Sequence, residues 1–400
     1  MDTLRIAPAR RLELIVLLGA LTAFAPLSID MYLPALPQIA RDFAVPIGSA
    51  EHTLAAFFLG ISLGQAFFGP LADRFGRKVP LLCGMLLYAA ACIGGALSLH
   101  IVPLVLLRFA QGVGACTGVV IARACVRDIF PATESARIFS YMMLVFGVVP
   151  LLAPLTGGYV LIWSGWRTIF WLQGAAGLLA FLAVSLRLPE SHGGTHRGMD
   201  PFSIVRDYWI LLVDRRFIGF VLAGALSHAG LFAYLTGSPH VFIDLFGVAP
   251  QHFGWFFGVN AAGIITVSQV TARLLRRFSP ARVLIVAQSL QVTAGFALLA
   301  AAASGAGGLW GIAVCLFGFI SLTAAILPTA AGLALHSFPA NAGMAAALLG
   351  TIQFGAGALV ATVLGAFSPS TPVPMASVIL LCGLSGLVCS RLLAPRAVHA

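Results

Sequence analysis

Long uncharged runs broken by short basic loops set the pattern of this chain. Leu54 to Phe68 carries no charge, and neither does Val79 to Leu99. Between them sit Asp73, Arg74, Arg77 and Lys78, with Gly69, Pro70 and Gly76 to turn the backbone. Apolar runs of about 20 residues joined by tight basic turns predict membrane-spanning helices. Barrel strands would be about 10 residues long and would alternate apolar with polar. On this reading spans fall near residues 12–38, 50–71, 79–99, 102–124, 136–160 and 166–187. A polar stretch follows, and then spans near 217–239, 251–273, 281–303, 308–333, 342–367 and 373–393. The predicted fold class is an all-α integral membrane protein with twelve transmembrane helices in two six-helix bundles. The bundles cover residues 1–188 and 217–400, and a cytoplasmic linker covers 189–216.

The first span contains Pro26, Pro34 and Pro37 and is expected to kink or unwind. Broken backbone is tolerated in a membrane helix where it lines a cavity. Arg10-Arg11 before an apolar run imitates an export signal, but Pro26 directly after Ala23-Phe24-Ala25 favours an uncleaved helix. The pairs Gly60/Gly64, Gly114/Gly118 and Gly254/Gly258 predict close helix packing.

Composition narrows the class further. The chain is 60% hydrophobic and 9% charged, whereas a soluble domain is about one quarter charged. A net charge of +10 would suit nucleic acid, but the positions argue for a lipid bilayer and no nucleic acid. Arg10, Arg11, Arg74, Arg77, Lys78, Arg187, Arg215, Arg216, Arg276 and Arg277 fall on one side, against Arg41 and Arg167 on the other. The positive-inside rule then puts both termini in the cytoplasm, and the resemblance drawn below implies a bacterial inner membrane. The seven cysteines lie in apolar segments without a C-x-x-C pair and read as core residues. No metal and no cofactor is expected. Gly60-Ile-Ser-Leu-Gly64 matches a hydrolase elbow on paper, but Ser62 sits in a plain apolar span, so no enzyme is expected.

The ionisable groups picked out within spans are Asp30, Arg108 and His228, with Arg123 near a span end. A charge at mid-bilayer costs about 2.5–3.5 kcal/mol on insertion scales, which makes each a functional candidate. Asp30 lies about 12 Å below the exit of its helix, and Arg108 about 9 Å below the same surface. Similar depth predicts one shared polar pocket. Burial disfavours a carboxylate's charge and a nearby guanidinium favours it, so Asp30 is a candidate proton carrier. His228 reads as a packing residue first. Gln65, Gln111, Asn260, Gln269 and Gln353 either line a cavity or bond between helices.

Several motifs carry a resemblance. Gly69-Pro-Leu-Ala-Asp-Arg-Phe-Gly-Arg-Lys78 resembles the loop signature of the major facilitator superfamily. Leu27-Ser-Ile-Asp-Met-Tyr-Leu-Pro-Ala-Leu-Pro37 resembles the opening of the Bcr/CflA group of drug-resistance transporters, which are drug:proton antiporters of that superfamily. Leu107-Arg-Phe-Ala-Gln-Gly-Val-Gly114 is similar to the family's fourth-helix motif, and Arg127-Asp128 follows it. Ala153-Pro-Leu-Thr-Gly-Gly158 resembles the antiporter motif of the fifth helix, with Ala153 in place of its first Gly.

The resemblance implies proton-coupled efflux by alternating access, with bicyclomycin- or chloramphenicol-type substrates and a monomer. Asp30 and Arg108 would couple protons; Asp30, Tyr32, Arg108 and Gln111 would bind substrate. Asp73, Arg74, Arg77 and Asp128 would gate, Asp73 against the helix opened by Pro339-Ala-Asn341, and Pro154, Gly157 and Gly158 would seal. Thr22 stands where some relatives carry a second carboxylate, which points to neutral or zwitterionic substrates. A proton-coupled nutrient or metabolite importer of the same fold is the alternative.

Overall fold

Proline, glycine and the ends of apolar runs decide where the helices stop. The computed structural model describes residues 8–191, 201–336, 338, 342–367 and 370–393. Its helices are α1 (Pro8–Asp30), α2 (Leu36–Asp42), α3 (Ile47–Phe75), α4 (Lys78–Ala96), α5 (Ile101–Ile129), α6 (Ala132–Ser164) and α7 (Trp166–Arg187). They continue with α8 (Pro201–Val213), α9 (Arg215–Pro239), α10 (Pro250–Leu274), α11 (Pro280–Ser304), α12 (Gly308–Leu335), α13 (Ala342–Gly365) and α14 (Val373–Leu393). Among the described residues, 11 helical runs are long and apolar enough to cross a membrane, and α6 contributes a shorter apolar run, Val148–Ser164.

The expected first span is two helices. Pro26 sits inside α1 without ending it. The break comes at Met31-Tyr32, where Pro34 lacks a donor and disfavours helix in the residue before it. A short 3₁₀ turn, Leu33–Ala35, then leads into α2, which carries Pro37 in its first turn.

The stretch 189–216, expected to be only a linker, contains α8. Leu211 is buried while Trp209, Ile210 and Val213 are exposed. Helix α8 packs on α9 and α13, and exposed apolar residues on so short a helix suit the membrane interface.

Successive spanning helices alternate in direction. One face therefore collects the start of α1, the α3–α4 turn, α8 and the end of α14; we call it the terminal face, and its opposite the far face. Helices α1 and α3–α7 pack among themselves as a first half, and α9–α14 as a second. The halves meet where α3 lies on α13 and α6 on α10. Along the first seam Gly48 abuts the Gly365 carbonyl, the Phe58 and Phe354 rings lie 6.4 Å apart, and Ser62 Oγ donates to the Thr351 carbonyl at 2.7 Å. Along the second, Gly158 abuts the Pro250 backbone and Gly254 and Gly258 abut Leu155 and Leu151. Each expected small-residue pair thus faces a neighbouring helix.

The tightest crossing within the first half is reciprocal. Gly60 lies against the Phe109 carbonyl, and Gly112 against the Phe57 carbonyl. A Cβ at Gly112 would overlap backbone that cannot swing aside. Gly112→Ala is expected to destabilise the protein by roughly 1–3 kcal/mol through overpacking, seen as a lower Tm of the detergent-purified protein. Gly69→Ala, with no atom within 4 Å of the new methyl, should leave Tm unchanged.

Candidate functional site

The break in α1 places Ser28, Asp30 and Tyr32 around one helix end. Residues four apart share a helix face, and residues two apart lie about 200° round. Ser28 and Tyr32 accordingly face α5, and Asp30 faces away. This rotation decides the layout of the site.

On the α5 side, Arg108 has no solvent exposure. Its Nη1 donates to the Ser28 carbonyl at 3.2 Å and to Gln111 Oε1 at 2.7 Å. Its Cζ lies 4.3 Å from the Tyr32 ring centre and 4.2 Å from that of Phe57, within cation–π range. Its Nε and Nη2 have no hydrogen-bond partner among the described residues. Around it, Gln111 Nε2 donates to Gln173 Oε1 at 2.8 Å. Tyr88 and Ser28 share a hydroxyl hydrogen bond of 2.6 Å, and Tyr32 and Thr53 one of 2.8 Å. The network joins α1, α3, α4, α5 and α7, all of the first half.

Asp30 is buried and belongs to a different environment. No ion pair joins it to Arg108 among the described residues. Its carboxyl lies within electrostatic reach of Tyr234 on α9. Tyr234 accepts a hydrogen bond from Asn260 Nδ2 at 3.1 Å and stacks on Phe257 with ring centres 5.0 Å apart. Of the shared pocket expected for Asp30 and Arg108, a direct ion pair is absent among the described residues. Matching their depth along the helix left out their angle about it.

His228 sits edge-on to Phe232 at 5.2 Å. Phe232 in turn contacts Phe58 at 4.7 Å and Phe354 at 5.3 Å, an aromatic cluster at the seam between the halves.

At the terminal face, Gly76 turns the chain with φ +84°, a conformation that suits glycine. A Cβ there would lie 2.6 Å from Glu190 Oε2. Glu190 accepts from the Arg77 amide at 2.8 Å and the Lys78 amide at 3.0 Å, capping the unpaired donors at the start of α4. Arg77 is held by Asp128 at 2.8 Å and Asp73 at 2.5 Å. Burial works against the Arg77 charge, but hydrogen bonds and attraction from these two carboxylates outweigh it and hold its pKa above the ordinary arginine value. Arg74 lies over the Phe75 ring at 5.2 Å. The contact expected between Asp73 and the Pro339-Ala-Asn341 helix start falls outside the described residues. Pro154 sits inside α6 without ending it, Gly157 abuts the Met31 carbonyl at the α1 break, and Gly158 abuts α10.

Four residues here escaped the sequence reading. Gln173, Tyr88 and Tyr234 build the two walls, and Glu51 on α3 is 4% exposed at the far face. Gln173 and Glu51 were detectable as polar residues inside apolar runs. The tyrosines carry no such signal, because their rings suit any core.

Comparison with known proteins gives a consistent result. Residues 18–362 match the profile described as "Major Facilitator Superfamily". The chain is 35% identical over 384 residues to "Uncharacterized MFS-type transporter YdgK" of Bacillus subtilis, covering 94% of each chain. It is 32% identical over 362 residues to "Bicyclomycin resistance protein homolog" of Haemophilus influenzae, covering 90% of this chain and 91% of the relative. "Multidrug resistance protein MdtL" of Escherichia coli is 28% identical, over 84% of this chain and 83% of its own. Among solved structures, a D-xylose-proton symporter superposes with a TM-score of 0.72 at 18% identity, covering 94% of this chain and 96% of that one. At that identity the likeness concerns the fold.

The two carboxylates on Arg77 differ in exposure, with side chains 21% exposed for Asp128 and 58% for Asp73. Exposed pairs contribute about 0–1 kcal/mol, and buried charges left unpaired cost more. Asp128→Asn should therefore lower the Tm of the purified protein clearly more than Asp73→Asn.

Proposed function

Because the chain belongs to the Major Facilitator Superfamily, we propose that it exports small drugs or metabolites from the bacterial cytoplasm in exchange for protons. The terminal face, with its basic loops, is the cytoplasmic one in this reading, and the far face opens outward. The protein works as a monomer by alternating access, each half tilting about a central site.

One observation carries the reading. Asp30 is a buried carboxyl at the break of α1, on the first half and within electrostatic reach of Tyr234 on the second. A proton held there makes the group neutral, and losing it leaves a charge that water or a ligand must satisfy. Its surroundings change whenever the halves move, which is what coupling a proton to that motion requires. The relative named for bicyclomycin resistance supports export over import.

Substrate would meet Arg108, Gln111 and Tyr32 on one side of α1 and Asp30 on the other. The orphaned Arg108 N–H groups suit a carbonyl or other acceptor on the ligand. Thr22 is buried, its hydroxyl turned back on the Gly19 carbonyl at 2.7 Å. With no second acid there, neutral or zwitterionic ligands of bicyclomycin or chloramphenicol type fit better than large cations. Asp73, Arg74, Arg77 and Asp128 would gate the cytoplasmic face. Pro154, Gly157 and Gly158 would seal α6 against α1 and α10.

Inverted vesicles with an acidic lumen test this directly. Adding a substrate outside should dissipate the pH gradient in wild type and leave it intact in Asp30→Asn. A loss evoked only by substrate preloaded in the lumen would mark symport and reverse the direction. A full response in Asp30→Asn would remove that residue from coupling.

In the same assay Arg108→Ala should abolish exchange, since it strips the network of its central donor. Arg108→Lys should retain a fraction, because lysine keeps the charge but not the planar guanidinium that lies against the Tyr32 and Phe57 rings. Wild-type activity in both variants would show that neither charge nor shape at this position matters.

A further inference from the structure

Four ionisable groups cross the seam at the far face. Glu51 on α3, 4% exposed, lies within electrostatic reach of His240. His240 Nδ1 is 3.0 Å from Asp244 Oδ2. Asp244 Oδ1 accepts from Arg41 Nη1 of α2 at 3.2 Å. Glu51 and Arg41 belong to the first half, His240 and Asp244 to the second. The string alternates acid and base and is stitched back and forth across the join.

The second half presents its two members on unusual backbone. His240–Leu245 is a π-helical turn directly after Pro239. Such wide turns recur at functional sites. This one packs against α2, α9 and α10.

We propose that the string is an acid-tightened latch on the far face. A proton on His240 makes it a cation between two carboxylates, Asp244 beside it and Glu51 across the seam. That cation adds a second attraction across the seam, toward Glu51, to the one Arg41 and Asp244 already make. With His240 neutral, Glu51 is a buried carboxylate facing no charge on the other half but Asp244, and closure keeps only the Arg41–Asp244 pair. Histidine ordinarily titrates near pH 6.5, between the two sides of an energised membrane.

The other charged groups nearby do not replace His240. Asp42 on α2 accepts from Trp166 Nε1 at 2.8 Å and lies 4.0 Å from Arg167, both of the same half. His52 on α3 abuts the Gly365 backbone of α13. His252 on α10 is exposed. The latch rests on the reading above only in that the halves part at this face. It requires neither Asp30 nor any particular substrate.

Distance measurement between spin labels tests it on the full chain in nanodiscs, where one pH bathes both faces. Labels go on Leu99→Cys of the first half and Ser304→Cys of the second, both exposed at the far face, in a background lacking Cys83, Cys315 and Cys389. From pH 8 to pH 5.5 the short-distance population should gain at least about fivefold over the long one, the low end of ordinary coupling between sites. Glu51→Gln and His240→Gln should each abolish the shift, and His52→Gln should keep it. Distances independent of pH in wild type would overturn the latch, even where a variant failed to fold. So would a shift that survives Glu51→Gln, or one that His52→Gln removes. A silent vesicle assay beside an intact shift would overturn the efflux reading alone.

Discussion

The Arg108 guanidinium is held fully away from water without a carboxylate beside it. Two aromatic faces, one backbone carbonyl and one glutamine surround it instead. That arrangement is possible only because the helices come very close. Gly112, one turn on from Arg108, lets the backbone of Phe57 press against α5, and the Phe57 ring then lies against the guanidinium. Gly114 does the same for α4, where its missing side chain admits the backbone at Tyr88. The hydroxyl of Tyr88 then reaches Ser28. Small residues and the buried charge are thus one device. The glycines set the spacing, and the polar network that fits the spacing locks five helices into a single body.

The charged bonds described at the two faces differ in what they join. On the terminal face Arg77 bonds to Asp73 and Asp128, all of the first half. On the far face Arg41 and Asp244 bond across the join. A bond inside one body stiffens it whatever the other body does. A bond across the join acts on the balance between conformations. The same residue types therefore do different work according to which side of the seam each partner stands on.

The spanning helices were legible because twenty-residue apolar runs have few other solutions in a chain this poor in charge. Boundaries came within a few residues, since proline and glycine mark most of them. The site was legible in part. Asp30 and Arg108 stood out as charges in apolar runs, and their depth followed from the rise per residue. Their separation did not follow, because a helix also turns: the two positions between Ser28 and Asp30 carry the carboxyl to the other side of α1. Helix α8 was hidden by the polarity of the stretch around it. Glu51 was passed over because it lies at the very start of its predicted span, where a charge reaches water at little cost. Partners in the second half, such as Tyr234 and His240, are set by a join between helices far apart in sequence, and no local pattern encodes that.

The opposite facing of Ser28 and Asp30 has a mechanical meaning. Through Ser28 and Tyr32, α1 is bolted to Arg108 and cannot roll without tearing the network that unifies the first half. Asp30 is therefore a fixed marker on one rigid body, and Tyr234 a mark on the other. The carboxyl has no private motion with which to change its surroundings. Its readiness to hold a proton becomes a gauge of where the opposing half stands.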